Sequence, residues 1–436
     1  MIARRLYTAL LWLLLPLLPL RLWLRGRRQP EYREHWRERF GIYRSAGGRR
    51  AIWIHAVSVG ETRAAQPLIA RLLAAYPMHR IVLTHMTPTG RATARELFAS
   101  HADRVASAYL PYDYPFAVRR FVDHFAPEFG LIMETELWPN LIAQCASRKL
   151  PLLLVNARLS ERSARGYRRL GVLTREALGA LAAVGAQTGA DAQRLQALGA
   201  TRVEVTGNLK FDIAPGNEQL VLGEALRECW GARPVLLCAS TREGEEALIL
   251  AALEQAGGDF LTVIVPRHPQ RFDEVAQLIA ARGFAMQRRS EFASTRTSTG
   301  TSPRAALRAE TRIVLGDSMG ELFAYYAAAD VAFVGGSLLP LGGQNLIEPC
   351  AVGAPVLIGP HTHNFLEATE QAIAAGAAMR VADANALIAR TRELLADPLA
   401  RQAMSEAGRR FATAHSGATE RTLKLIARSL SGADAK

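Results

Sequence analysis

The sequence is short of cysteine: Cys145, Cys229, Cys238 and Cys350 are spread over 436 residues with no CxxC pair. That spacing excludes a disulfide framework and a zinc knuckle, and fits a reducing compartment. No GxGxxG follows the first strand-like run, which argues against a dinucleotide oxidoreductase. No DxD motif is present either, so the usual acidic clamp for a divalent cation is missing. Acidic charge is scarce at one end. Residues 1–50 carry twelve Arg, no Lys and three Glu, a net +9 of the chain's +13, which leaves +4 for the other 386 residues. Basicity confined to one end points away from a nucleic-acid-binding surface. What is there, 49% hydrophobic and 21% charged residues, is globular in composition and long enough for two or three domains.

The basic end is also apolar. It begins MIARRLYTALLWLLLPLLPLRLWLRGRRQ, with no charge over residues 6–20 and an apolar continuation to Leu24 if Arg21 snorkels. A cleaved signal peptide needs small residues after its apolar core, and here Arg21, Arg25, Arg27 and Arg28 follow instead. The segment reads as a membrane anchor, spanning rather than surface-lying, because it is apolar all round and Pro16 and Pro19 would disturb an amphipathic helix. The Arg excess on its C-terminal side, running on through Arg33, Arg37 and Arg39, places the remaining mass on the cytoplasmic face of the membrane.

Beyond it, strand-like runs alternate with Ala/Leu/Arg-rich helical stretches. AIWIHAV, RIVLTHM, RVASAYLPYD, FGLIMETE, LPLLLVNAR, ALAAVGAQT and RVEVTGNLK form one series. PVLLCAS, FLTVIVP, FAMQRR, RIVLGD, VAFVGGS, APVLIG and AMRVAD form a second. Such alternation predicts parallel sheets covered by helices, as two successive doubly wound units. Ligands of such sheets bind beyond the carboxyl ends of strands, with a cleft between the units as the default site. The Ser/Thr/Arg-rich stretch 288–310 reads as a mobile surface loop.

Four corners carry candidate chemistry. In IHAVSVGET the strand turns into a helix at Ser58 and Gly60, and Glu61 follows: either a first-turn acid favoured by the helix dipole or a general base. PRHPQRF puts Arg267 and His268 after another strand, where a phosphate could be held or where the loop is merely solvated. Met319, Gly320 and Glu321 are read as opening a helix whose free N–H groups meet an anion or a base edge. A Gly-rich turn runs into Asn345 and Glu348, three residues apart on one helical face.

Together HAVSVGE, METELWPN, NARLSERS, GNLKFD, PRHPQRF, GDSMGEL and GGQNLIEP resemble, in order and over nearly the whole chain, the 3-deoxy-D-manno-octulosonic acid (Kdo) transferases of lipopolysaccharide biosynthesis. The resemblance implies the α/β B-type glycosyltransferase fold: two Rossmann-like domains facing across a cleft, with an N-terminal membrane anchor helix. It divides the chain into anchor and basic collar (1–30), acceptor domain (31–212), linker (213–232) and CMP-Kdo-binding domain (233–436). It also implies inverting transfer of Kdo from CMP-Kdo to the lipid A precursor at the cytoplasmic side of the cell inner membrane, with membrane lipids as partners and no nucleic acid. Glu61 matches the family's catalytic base. Arg267, His268, Met319, Gly320, Glu321, Asn345 and Glu348 match the CMP-binding segments. Glu134 and Lys210 match charged positions near the cleft, while Glu136 and Trp138 are equally readable as structural.

The residue types suit that chemistry. One carboxylate suffices to deprotonate an acceptor hydroxyl. CMP is a weakly basic leaving group that needs only cations and helix N-termini around its phosphate. A monophosphate has no diphosphate for Mg²⁺ to bridge, so no cofactor and no metal are expected. Two rival readings share features of the sequence: a UDP-sugar glycosyltransferase or epimerase of the same architecture, and a non-catalytic membrane-tethered binding protein.

Overall fold

The computed structural model describes residues 2–44, 50–257, 259–292 and 306–431. All fourteen strand-like runs form strands. β1 (Ala51–His55), β2 (Arg80–His85), β3 (Val105–Tyr109), β4 (Pro127–Met133), β5 (Leu152–Ala157), β6 (Ala183–Ala186) and β7 (Val203–Val205) make one sheet. β8 (Val235–Thr241), β9 (Leu261–Pro266), β10 (Met286–Arg288), β11 (Ile313–Leu315), β12 (Val331–Val334), β13 (Val356–Ile358) and β14 (Ala378–Arg380) make another. Every pairing is parallel. The strands read as unbroken apolar runs because helices cover both faces. Ala51 and Trp53 enter the core on one side of the first sheet, and Ile52 and Ile54 the core on the other.

The chain forms two compact units, residues 1–213 with 416–436, and residues 214–415. In the first, the strand order is β3-β2-β1-β4-β5-β6-β7. The chain winds outward from β1 to one edge and then restarts beside β1 at β4, so the topological switch point lies between β1 and β4. In the second, the order is β10-β11-β9-β8-β12-β13-β14, and the equivalent switch lies between β8 and β12.

Four expectations change. The span expected over residues 6–24 is two helices, α1 (Ile2–Leu14) and α2 (Leu17–Arg28), bent by 59° at Leu15 and Pro16, and among the described residues no single helix is long and apolar enough to cross a membrane. Proline has no N–H to continue the ladder, and its ring clashes with the preceding turn. α1 is moreover docked on the first unit: the Tyr114 hydroxyl donates to Leu11 O (2.6 Å), the Thr8 hydroxyl to Asn140 Oδ1 (3.0 Å), and Trp12 packs edge-on against Tyr114. Arg39 does not belong to an exposed collar. It is 2% exposed, its guanidinium lies 4.1 Å from the Tyr109 ring centre, and it donates to Met86 O. Finally, the stretch expected as a linker belongs to the second unit: it forms the helix Asn217–Trp230 that the sequence leads one to expect after Pro215, and Leu226 and Trp230 of that helix join a core there. The helix Ala418–Ser431, expected in the second domain, belongs to the first unit, where Leu425 and Ile426 are buried under its sheet. Asp212 clasps that helix by accepting from Gly417 N at 2.6 Å. Of the Ser/Thr-rich stretch, residues 293–305 lie outside the described residues.

Candidate active site

The switch point of the first unit collects three carboxylates. α3 (Val59–Ala64) begins after Ser58, and Glu61 sits in its first turn. Instead of reaching outward, the side chain folds back over the corner: Glu61 Oε2 accepts from Val57 N (2.8 Å) and Oε1 from the Ser58 hydroxyl (3.1 Å). This is the reach-back of a capping acid, so the first-turn reading is correct as local structure. The surroundings add something that capping does not require. Glu61 is 9% exposed, and its pKa is pushed up to about 7, chiefly by burial and then by the charge of Glu134, with Glu136 adding; the two hydrogen bonds oppose the shift. A surface capping acid would stay ionised throughout the neutral range. Glu61 is instead poised to exchange a proton near pH 7.

Glu134 and Glu136 follow β4, across the switch point from β1. Glu134 takes a left-handed conformation (φ 55°), uncommon for a residue with a Cβ, while its N–H donates to Val155 O (3.0 Å). Its carboxylate lies 3.6 Å from Lys210 Nζ. Lys210 is presented by a short turn, Leu209–Asp212, held from below because Leu209 N donates to Asn156 Oδ1 (3.0 Å) at the end of β5. Asn156 is also left-handed, at φ 53°. Glu61, Glu134 and Lys210 therefore come together, and Glu136, also raised in pKa by burial, joins them.

Sequence reasoning missed the supports. The Thr87 hydroxyl donates to Val57 O (3.2 Å), and Gly90 packs so closely that a Cβ there would lie 3.2 Å from the same carbonyl oxygen. The signal for this was present in the Thr87-Pro-Thr-Gly90 helix start after β2, but only the sheet order shows which corner it braces.

In the second unit the residues expected at the donor site all fall at the carboxyl edge of one sheet region, after β9, β11 and β12. Arg267 Nε donates to Gln344 Oε1 (3.3 Å), joining the segment after β9 to the Gly-rich turn after β12. The His268 pKa is lowered by burial and then by Arg267, Arg242 and Arg271, which makes this corner a cationic one. Arg271 is itself committed to the buried Glu246 at 2.7 Å. Met319, Gly320 and Glu321 precede the helix Leu322–Ala328 rather than opening it. Glu321 accepts from Arg289 (3.2 Å) and from the Ser318 hydroxyl (2.6 Å). Asn345 likewise stands before its helix, Ile347–Val352; its amide donates to Glu348 Oε1 (3.0 Å) and its carbonyl oxygen accepts from Ile347 N.

Glu245 is the unanticipated residue here. Fully buried, its carboxylate accepts from Arg242 N (2.8 Å), Gly336 N (2.6 Å), Ser337 N (2.9 Å) and Leu338 N (2.9 Å). Three N–H groups of that Gly-rich turn, those of Gly336, Ser337 and Leu338, are thus filled from within and are not free to meet a phosphate. Among the described residues no group of three or more His, Cys, Asp or Glu could hold a metal ion.

Comparison with known proteins shows what the chain as a whole is similar to. The family described as 3-deoxy-D-manno-octulosonic-acid transferase (kdotransferase) matches residues 34–213. The 3-deoxy-D-manno-octulosonic acid transferase of Bordetella pertussis is 47% identical over 97% of this chain and 98% of its own length. That of Haemophilus influenzae is 37% identical over 96% and 97%. The crystal structure of UDP-GlcNAc 2-epimerase from Neisseria meningitidis covers 87% of this chain and 100% of that one with a TM-score of 0.57 at 15% identity, a likeness of fold alone. Full-length identity at this level, with the carboxylates of the first unit gathered at its switch point, shows that the chain belongs to the Kdo transferases, glycosyltransferases of lipopolysaccharide synthesis.

Proposed function

We propose that the chain transfers Kdo from CMP-Kdo to the lipid A precursor with inversion at the anomeric carbon, and that Glu61 is the base. The observation that carries this reading is the buried Glu61 carboxyl, raised to about 7 beside the Glu134–Lys210 pair. The acceptor oxygen forms a bond to the anomeric carbon as its proton passes to a Glu61 oxygen. The bond from that carbon to the phosphate oxygen breaks, and its electron pair leaves on CMP. Glu61 ends neutral and returns its proton to solvent. The second unit supplies the cations that meet the leaving phosphate, Arg267 foremost, while Glu348 accepts from ribose hydroxyls. His268, Met319, Gly320, Glu321 and Asn345 complete the nucleotide-binding set. With a monophosphate donor the reaction needs no metal, and EDTA is expected to leave it intact.

The same reading places α1 and α2 at the cytoplasmic face of the inner membrane. The bend between them and the docking of α1 favour a pair lying in the interface over a span. The test is product mass after incubating the purified chain with a lipid A disaccharide acceptor and either CMP-Kdo or a UDP-sugar. Addition of Kdo from CMP-Kdo alone is expected; consumption of the UDP-sugar, or no transfer, would overturn the proposal.

A further inference from the structure

Beside α1 runs a groove of about 610 Å³, within the ~300–1,000 Å³ typical of small-molecule sites. Its opposite wall is the helix Pro139–Ser147, which presents Gln144 and Ser147, and Pro115 helps close it. Along α1 its character changes. Arg4 and Arg5 mark one end and Trp12 the other, about 10 Å of helix apart.

Neither arginine has an ion-pair partner among the described residues. The nearest carboxyl to act on Arg4 is that of Asp113, which is buried, accepts from Asn140 N (2.9 Å) and Leu141 N (2.8 Å), and has its pKa pushed up to about 7 by that burial. It offsets the two cations only in part. The groove is thus cationic at one end and aromatic at the other. Outside it, α1 exposes Leu6 (67%), Leu10 (55%) and Leu13 (75%), an apolar surface that a bilayer interface would cover.

We propose that this groove binds the phosphodiester headgroup of an anionic glycerophospholipid, with Arg4 and Arg5 on the phosphate and Trp12 against the glycerol and the start of the acyl chains. Arginine forks match phosphate oxygens, and indole rings settle where a polar head meets an apolar tail. A free phosphate would use only the arginine end and leave the aromatic end wet. The inference rests on the reading that α1 lies in the membrane interface, and it adds a specific, saturable site to that general adsorption.

The experiment is titration of the full chain with dioctanoyl phosphatidylglycerol below its micelle concentration, beside dioctanoyl phosphatidylcholine and inorganic phosphate. One phosphatidylglycerol is expected to bind per chain, more tightly than phosphatidylcholine. Affinity is expected to fall at least about ten-fold in Arg4→Gln/Arg5→Gln, the scale of a lost charged hydrogen bond. A similar fall is expected in Ala143→Trp, which fills the groove without changing charge. Undiminished binding in either variant would overturn the site, and so would displacement of the lipid by equimolar inorganic phosphate. Sedimentation of the same proteins with anionic vesicles separates the two readings: pelleting that persists while the titration fails discards the groove alone, and loss of pelleting by the unaltered chain discards the interfacial placement.

Discussion

Burial gives Glu61 its proton affinity, and the two hydrogen bonds from Val57 N and Ser58 fix where its oxygens sit. Replacing it by Gln keeps the shape and removes the basicity. Turnover is expected to fall by roughly 10²- to 10⁴-fold with CMP affinity unchanged, read by initial rates and calorimetry; near-normal turnover would remove Glu61 from the mechanism. The pH profile carries a sharper expectation. A base with its pKa at about 7 is mostly protonated at pH 6, so kcat/KM should rise with pH up to that value and level off above it. Glu134 is the second cause of the shift, after burial, so Glu134→Gln should move the rising limb to lower pH; a limb that stays put would mean the two carboxyls do not communicate. Stability follows the opposite sense. A carboxyl whose folded pKa is raised from 4.5 to about 7 destabilises the fold as pH climbs through that interval, and the penalty is complete above it. Glu61→Gln should therefore melt higher than the unaltered chain at pH 8, by up to about 3 kcal/mol, with the difference vanishing below pH 4.5.

Strands and corners were written plainly, their supports were not. Parallel strands buried on both faces need uninterrupted apolar runs, which is why AIWIHAV or PVLLCAS can be read without a structure. Gly130 in β4 shows what such reading leaves out. A Cβ there would lie 2.5 Å from the Trp53 ring and 2.7 Å from Leu152 Cδ1, so Gly130→Ala should cost about 1–3 kcal/mol by overpacking, measured by denaturant unfolding; an unaltered midpoint would show that the layer yields freely. Trp53 lies in a different strand, and no local pattern announces that the two meet. Glu245 is a second case. As one of two acids opening a helix it looks like a dipole partner, yet it holds four backbone N–H groups, three of them about ninety residues away in sequence. Glu245→Ala would leave these buried donors unpaired, at a cost of at least about 3 kcal/mol, and should also loosen CMP binding. Full CMP affinity in a destabilised variant would mean that the turn does not shape the nucleotide site. In the sequence Pro16 and Pro19 count against an amphipathic surface helix and so for a span, whereas in the structure Pro16 stands at the break itself. Docking through Tyr114 and Asn140, which lie far along the chain, accompanies the bend.

Across the whole molecule, two successive series of strands gave the two units, while the linear division of the chain missed that its end returns. The helix Ala418–Ser431 lies against the first unit's sheet and is clasped by Asp212. Burial of Leu425 and Ile426 alone is worth about 3–6 kcal/mol. A chain ending at His415 should therefore show a destabilised first unit by calorimetry while the second unit still unfolds cooperatively and binds CMP; loss of both transitions would mean that the units do not fold independently. This closure also sets an order of events during synthesis. Every strand of the first unit leaves the ribosome before the second unit is made, but the helix that seals its sheet is translated after roughly two hundred further residues, about 10–40 s later at ordinary elongation rates. The second unit is contiguous and can complete itself as it emerges. The first must wait with part of one face uncovered, in an interval when chaperones have access to it and when a stalled or nicked message yields a chain whose earliest-made half is the one left unfinished.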